Sequence, residues 1–189
     1  MHSTLVSRRK IALALTALPA VIAASARAQN TPDSNPPSSQ PDGLTSRSEA
    51  IHQEIALQAP RSAVYQALTK AKQFDALTRL SDAVSLVTAP KAKPTSISRE
   101  VGGPFTLFGG YITGRNLEML PDERLVQAWR VGGWKAGDYS IVKFVLVANG
   151  ADTRLVFDHR GFPDGTGTHL ADGWHTHYWE PLAKFLSKG

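Results

Sequence analysis

Five histidines beyond residue 28 are the groups best suited to proton chemistry near neutral pH: His52, His159, His169, His175 and His177. The C-terminal group invites a metal, but its spacing argues against one. Zinc-binding histidines on a helix share a face at i and i+4. His175 and His177 are two apart and point about 200° away from each other on a helix. There is no HExxH pattern and no cysteine, which excludes disulfides, thiol catalysis and Cys-ligated metals. No metal and no cofactor is expected. His159 is different, because alternation along Thr153–His159 puts it on one face with Leu155 and Phe157. It is a candidate polar contact inside an apolar space, or a weak candidate for a general base. A strand-end histidine at the rim is the plainer alternative. Glu118, Arg115 and Arg130 fall on neighbouring expected strands. They could orient a ligand, or form a surface cross-strand group worth little. No GxSxG elbow, P-loop or dinucleotide-binding glycine pattern is present.

The other candidate site residues are aromatic. Tyr111, Trp129, Trp134, Phe144, Phe157, Trp174 and Tyr178 are expected, with His159, to line a ligand cavity. Such rings offer large apolar contact area with a few hydrogen-bond handles. Core packing accounts better for Phe144, Phe157 and Trp174. Trp129 and Trp134, at a strand end and in a loop, fit either role.

The elements that must position these residues can be read from periodicity. Ile51, Gln53, Ile55 and Leu57 alternate with polar neighbours and mark a first strand. Pro60 ends it and opens a helix through Val64, Tyr65 and Leu68; a second short helix covers about 71–77. Strand-like runs follow at 81–88, 95–100, 105–108, 111–120, 125–130, 140–148 and 153–159, divided by turn signals such as Asn149-Gly150. No crossover helices separate them, so the sheet should be antiparallel. Leu170, Trp174, Tyr178, Leu182, Phe185 and Leu186 make one apolar helical stripe, with a kink expected at Pro181.

Ahead of this α+β region lies a different kind of chain. Arg8, Arg9 and Lys10 precede a 14-residue apolar run, Ile11 to Ala24, and then Ala26-Arg27-Ala28. This is the layout of a cleavable export signal, with the cut between Ala28 and Gln29. The apolar run is shorter than the ~20 residues of a membrane span, so no stable insertion is expected after cleavage. Ser7-Arg8-Arg9 with Ile11 and Leu13 resembles the twin-arginine motif, which points to the periplasm or secretion; the general export route is the alternative. Residues 29–48 are Pro, Ser, Asn and Asp with almost nothing apolar, the composition of a disordered linker. The expected organisation is a signal segment at 1–28, a linker at 29–48 and one domain at 49–189.

Removal of the signal changes the charge argument. The whole chain carries +5, but four of its 21 basic residues and none of its 16 acidic ones lie in 1–28, leaving 17 against 16. A nearly neutral mature chain gives no reason to expect a nucleic-acid partner. Lys91 and Lys93 sit in a proline-flanked loop and read as solvated.

Several ordered motifs carry a resemblance. They are Ile55-x-Leu57-x-Ala59-Pro60 with Val64-Tyr65-x-Ala67-Leu68-Thr69; Gly102-Gly103-x-Phe105; and Leu125 to Arg130 with Trp134. The strand ending at His159 then leads into Gly161-Phe162, followed by Gly173-Trp174 and Tyr178-Trp179-x-Pro181-Leu182. Together they resemble the START-like helix-grip superfamily (SRPBCC), and within it the branch of homologues of the activator of a heat-shock ATPase. That resemblance implies a curved antiparallel sheet of six to seven strands wrapped around a long C-terminal helix, with two short helices after the first strand. It implies a binding space between sheet and helix, and hence a small hydrophobic molecule as partner. A cytosolic heat-shock chaperone is not the expected partner of an exported chain. A cyclase, dehydratase or hydrolase with His159 as base, assisted by Tyr111 or Glu118, is the enzymatic alternative. A protein-interaction module without a deep cavity is the other. Absence of a catalytic signature favours binding over catalysis. Ligand identity and oligomeric state have no signature in the residues.

Overall fold

The computed structural model describes residues 49–188. The expected signal segment, its cut between Ala28 and Gln29 and the linker at 29–48 lie outside the described residues. β1 (Ala50–Leu57) is followed by α1 (Arg61–Thr69), α2 (Ala71–Thr78) and α3 (Val84–Thr88). Then come β2 (Ser96–Ile97), β3 (Pro104–Leu107), a 3-10 turn (Phe108–Gly110), β4 (Ile112–Leu120), β5 (Arg124–Val131), β6 (Ser140–Asn149) and β7 (Asp152–Arg160). The chain ends in α4 (Gly167–Trp174), a π turn (His175–Trp179) and α5 (Glu180–Leu186), which follow one another as a single long helix.

The seven strands form one antiparallel sheet in the order β1-β7-β6-β5-β4-β3-β2. Period-two alternation puts Leu57, Phe105, Ile112, Leu125, Trp129, Val142, Phe144, Leu155 and Phe157 on the face that the long helix covers. This is the fold class expected from the motifs. Two local features shape the sheet. A bulge between Asn116 and Glu118 interrupts the β4–β5 register. At that break Asn116, fully buried, donates from Nδ2 to the Ser98 carbonyl at 2.8 Å and accepts from Gln127 Nε2 at 3.0 Å. The backbones also approach closely at Gly114, where a Cβ would stand 2.0 Å from the Ala128 carbonyl oxygen and 2.3 Å from the Phe105 ring.

One expectation needs correction, and another takes a specific form. The run at 81–88, read as a strand from its β-branched residues, is a turn followed by the short helix α3. Ser81 donates its hydroxyl to the Thr78 carbonyl at 2.8 Å and accepts from the Ala83 amide at 3.2 Å. These local bonds continue the end of α2, and no strand pairs with this run. The break expected at Pro181 takes the form of a π turn. The Glu180 amide bonds the His175 carbonyl, five residues back, immediately before the proline that has no amide to donate. The extra residue in that turn brings both Tyr178 and Trp179 onto the buried side with Trp174.

Gln53, a polar residue on the core side of β1, holds the two halves of this helix together. Its Nε2 donates to the Ala171 carbonyl at 3.2 Å, and its Oε1 accepts from Trp179 Nε1 at 2.6 Å. Gln53→Leu strands a buried indole N–H, so it should cost about 1–3 kcal/mol. The urea midpoint of the variant against the parent measures this; a shift within error would show that the helix is held by packing alone.

Candidate functional site

His159 is fully buried on β7, and its ring links sheet and helix. Trp174 Nε1 donates to its Nδ1 at 3.0 Å. An indole N–H can only donate, so Nδ1 must be the unprotonated nitrogen. The ring proton therefore sits on Nε2, 2.7 Å from Ser140 Oγ. Ser140 donates its own hydroxyl hydrogen bond to the Trp129 carbonyl at 3.0 Å. The relay Trp174–His159–Ser140–Trp129 runs from the helix to β5, and the neutral ring spends both of its nitrogens in it. Burial pushes the His159 imidazole down to about 4. Protonating Nδ1 would also set two donors against each other.

Around this relay the aromatic residues are packed ring on ring. Trp174 lies 4.3 Å from Phe157, 4.1 Å from Tyr178, 5.2 Å from Trp129 and 5.5 Å from Trp179, measured between centroids. Phe144 packs on Phe157 at 5.2 Å, and Trp134 closes the rim against Trp129 at 6.0 Å. Trp129, Phe144, Phe157, His159, Trp174 and Tyr178 are thus brought together, with Trp134 half-buried beside them. Tyr111 is not with them: it is 46% exposed and lies against Gly132 at the surface. The space between sheet and helix, expected as the ligand cavity, is filled here by these side chains. Trp129 Nε1 and the Tyr178 hydroxyl are buried there without a hydrogen bond of good geometry. Burial raises the Tyr178 phenol far above its ordinary range, so it stays un-ionised.

The charged candidates separate. Glu118 pairs with Arg124, which donates from Nη2 at 2.6 Å and from Nε at 3.1 Å. Arg115 reaches the Gly102 carbonyl, and Arg130 the carbonyl of Trp134. Glu118 is half-exposed and lies outside the aromatic cluster, so it offers no second group for acid–base work beside His159. His175 lies 3.2 Å from Glu180 at the exposed side of the helix. Among the described residues no cluster of three His, Asp or Glu side chains could hold a metal ion, and no helix is long and apolar enough to cross a membrane.

Two open cavities lie elsewhere. One of 780 Å³ runs between α1, α2 and the end of α5, walled by Ala59, Ala63, Ala76, Leu80, Phe185 and Leu186, with Gln66 and Gln73 beside them. The other, of 440 Å³, opens on a different face of α2. Sequence reading found neither, because each joins residues of separate elements that meet only on folding.

With this geometry in place, the comparisons with known proteins decide the family. The profile of the activator of Hsp90 ATPase homolog 1-like proteins matches residues 58–187. The chain belongs to that family. Among its curated relatives, the human activator of 90 kDa heat shock protein ATPase homolog 1 is 24% identical over 113 residues, covering 60% of this chain and 33% of that protein. The Dictyostelium discoideum homologue is 31% identical over 80 residues, 42% of this chain and 21% of its own length. The chain therefore spans a third or less of these relatives' length. Of solved structures, an HSP90 activator from Plasmodium falciparum superposes with a TM-score of 0.63 at 22% identity, over 73% of this chain and 96% of that one. CalU16 from Micromonospora echinospora gives 0.55 at 23%, over 74% and 77%. These structures establish the shared helix-grip fold. Within this Hsp90-activator-like family, then, the described domain places its aromatic residues as a solid core and its open space among the helices.

Proposed function

We propose that this domain is an exported binding protein for a small hydrophobic molecule, held in the groove between α1, α2 and the end of α5. The observation that carries the reading is the groove itself. Its 780 Å³ lies within the ~300–1,000 Å³ of ligand sites, more of its wall is apolar than polar, and Gln58, Ser62, Gln66, Gln73 and Lys188 offer polar contacts. Binding is favoured over catalysis because the Nδ1 lone pair of His159 is occupied by Trp174 and its lowered proton affinity makes the neutral ring a weak base at neutral pH. Export rests on the basic, apolar and small-residue layout of 1–28.

A second reading is a protein-interaction module. Family membership and the filled interior favour it. A heat-shock ATPase is the partner named for the longer relatives, and it is a cytosolic partner that an exported chain would not meet.

Native mass spectrometry of the chain purified from the cell envelope separates these readings. A stoichiometric apolar adduct is expected, and Ala63→Trp, which fills the groove from α1, should abolish it without shifting the melting curve. An adduct that survives Ala63→Trp would move the ligand out of the groove. A bare mass, with no saturable uptake of a fluorescent apolar dye, would sink the small-molecule reading and leave the protein partner.

A further inference from the structure

The second cavity lies on another face of α2 and has a different character. We infer that it is a binding site for a small organic anion bearing a carboxylate or phosphate group. Its 440 Å³ is bounded by α2 on one side and the Ala92–Thr95 loop on the other. Three cations stand around it, Lys72 from α2, Arg79 at its C-cap and Lys93 from the loop, against one carboxylate, Asp75. That carboxylate is already engaged: Arg79 Nε donates to its Oδ2 at 3.2 Å, and the Thr95 hydroxyl to its Oδ1 at 3.4 Å. Lys72 and Lys93 have no acidic partner among the described residues. Both lysines line the opening and are exposed, so an anion seated there would meet two positive charges with no acidic partner of their own.

Lys93 is held in place from behind. Its amide donates to the Gly109 carbonyl at 2.9 Å. Its stem lies across Gly110, where a Cβ would come within 3.0 Å of Lys93 Cδ. Gly109 in turn lies so close to α3 that a Cβ would stand 2.0 Å from the Leu86 carbonyl oxygen. Both glycines have positive φ, +68° and +96°, which a side chain would strain. The tight turn after β3 therefore fixes the stem of Lys93, whose side chain is exposed as its proline-flanked loop suggests. Arginine and lysine around a polar opening, with the only acid neutralised, select an oxyanion over a cation or a neutral apolar molecule.

Isothermal titration of the chain with inorganic phosphate and, separately, with citrate at low ionic strength tests this. One saturable site is expected, and whichever probe binds tighter assigns the head group. Lys72→Met and Lys93→Met keep the aliphatic stems and remove the charges; each should weaken binding about tenfold. Asp75→Asn removes the only negative charge and should strengthen binding several-fold. Circular-dichroism melts of all three variants report folding separately. Non-saturating uptake, unchanged affinity in both lysine variants, or weaker binding by Asp75→Asn would each overturn the site.

Discussion

Trp174→Ala should cost about 4 kcal/mol of folding stability, a large share of the ~5–15 kcal/mol that a domain of this size holds. The side chain is 2% exposed and meets Trp129, Phe157, Tyr178 and Trp179 ring on ring. Its removal opens a void where sheet and helix meet, and the surrounding aromatic rings are too rigid to collapse into it. It also leaves the Nδ1 lone pair of His159 buried without a donor. Trp174→Phe separates the two losses, since a ring remains but the N–H is gone; about 1–3 kcal/mol is expected from the stranded acceptor alone. Urea unfolding of the three proteins measures both differences. A cost below about 1 kcal/mol for Trp174→Ala would mean that the interior is a cavity in solution, which would return the ligand site to the space between sheet and helix.

That central packing is largely legible in the amino-acid sequence. Strand alternation placed Leu155, Phe157 and His159 on one face, and the three-and-four spacing of Leu170, Trp174, Tyr178, Leu182, Phe185 and Leu186 defined the covering stripe. Both assignments follow from period alone, and the burial of these residues agrees with them. What the pattern could not say is whether facing rings touch or stand apart, because that depends on side-chain rotamers and sheet curvature. Tyr111 shows the limit. It directly precedes β4, where alternation no longer constrains its side, and it turns out to solvent. α3 shows another, since Val84 and Val87 carry strand propensity but meet no strand to pair with. One missed feature did leave a signal. A glutamine at position 53 on the apolar face of β1 is out of place unless something buried pairs with it, and Trp179 and Ala171 do. The two cavities left no signal, because Ala63 with Phe185, or Lys72 with Lys93, are neighbours only after folding.

The relay through His159 also makes the fold acid-sensitive. Its imidazole is held at about 4, below its ordinary 6.5, because burial opposes the charged form. As pH falls, the unfolded chain takes up this proton first, so acid favours unfolding. The stability that the neutral ring confers is therefore complete above about pH 6.5. It declines between 6.5 and 4 and is fully lost below 4. The gap of 2.5 between the two values corresponds to about 3 kcal/mol, of which about 2 should be gone by pH 5. Asp158 acts in the same direction, because hydrogen bonds from His52 and Lys143 lower its carboxyl, but its loss belongs to more acid conditions. His159→Gln distinguishes the two: its amide can still accept from Trp174 and donate to Ser140, but it does not titrate. The variant should be less stable than the parent at pH 7, and this deficit should shrink by about 2 kcal/mol at pH 5. Parallel stability curves for the two proteins would show that His159 is not the group that opposes acid uptake.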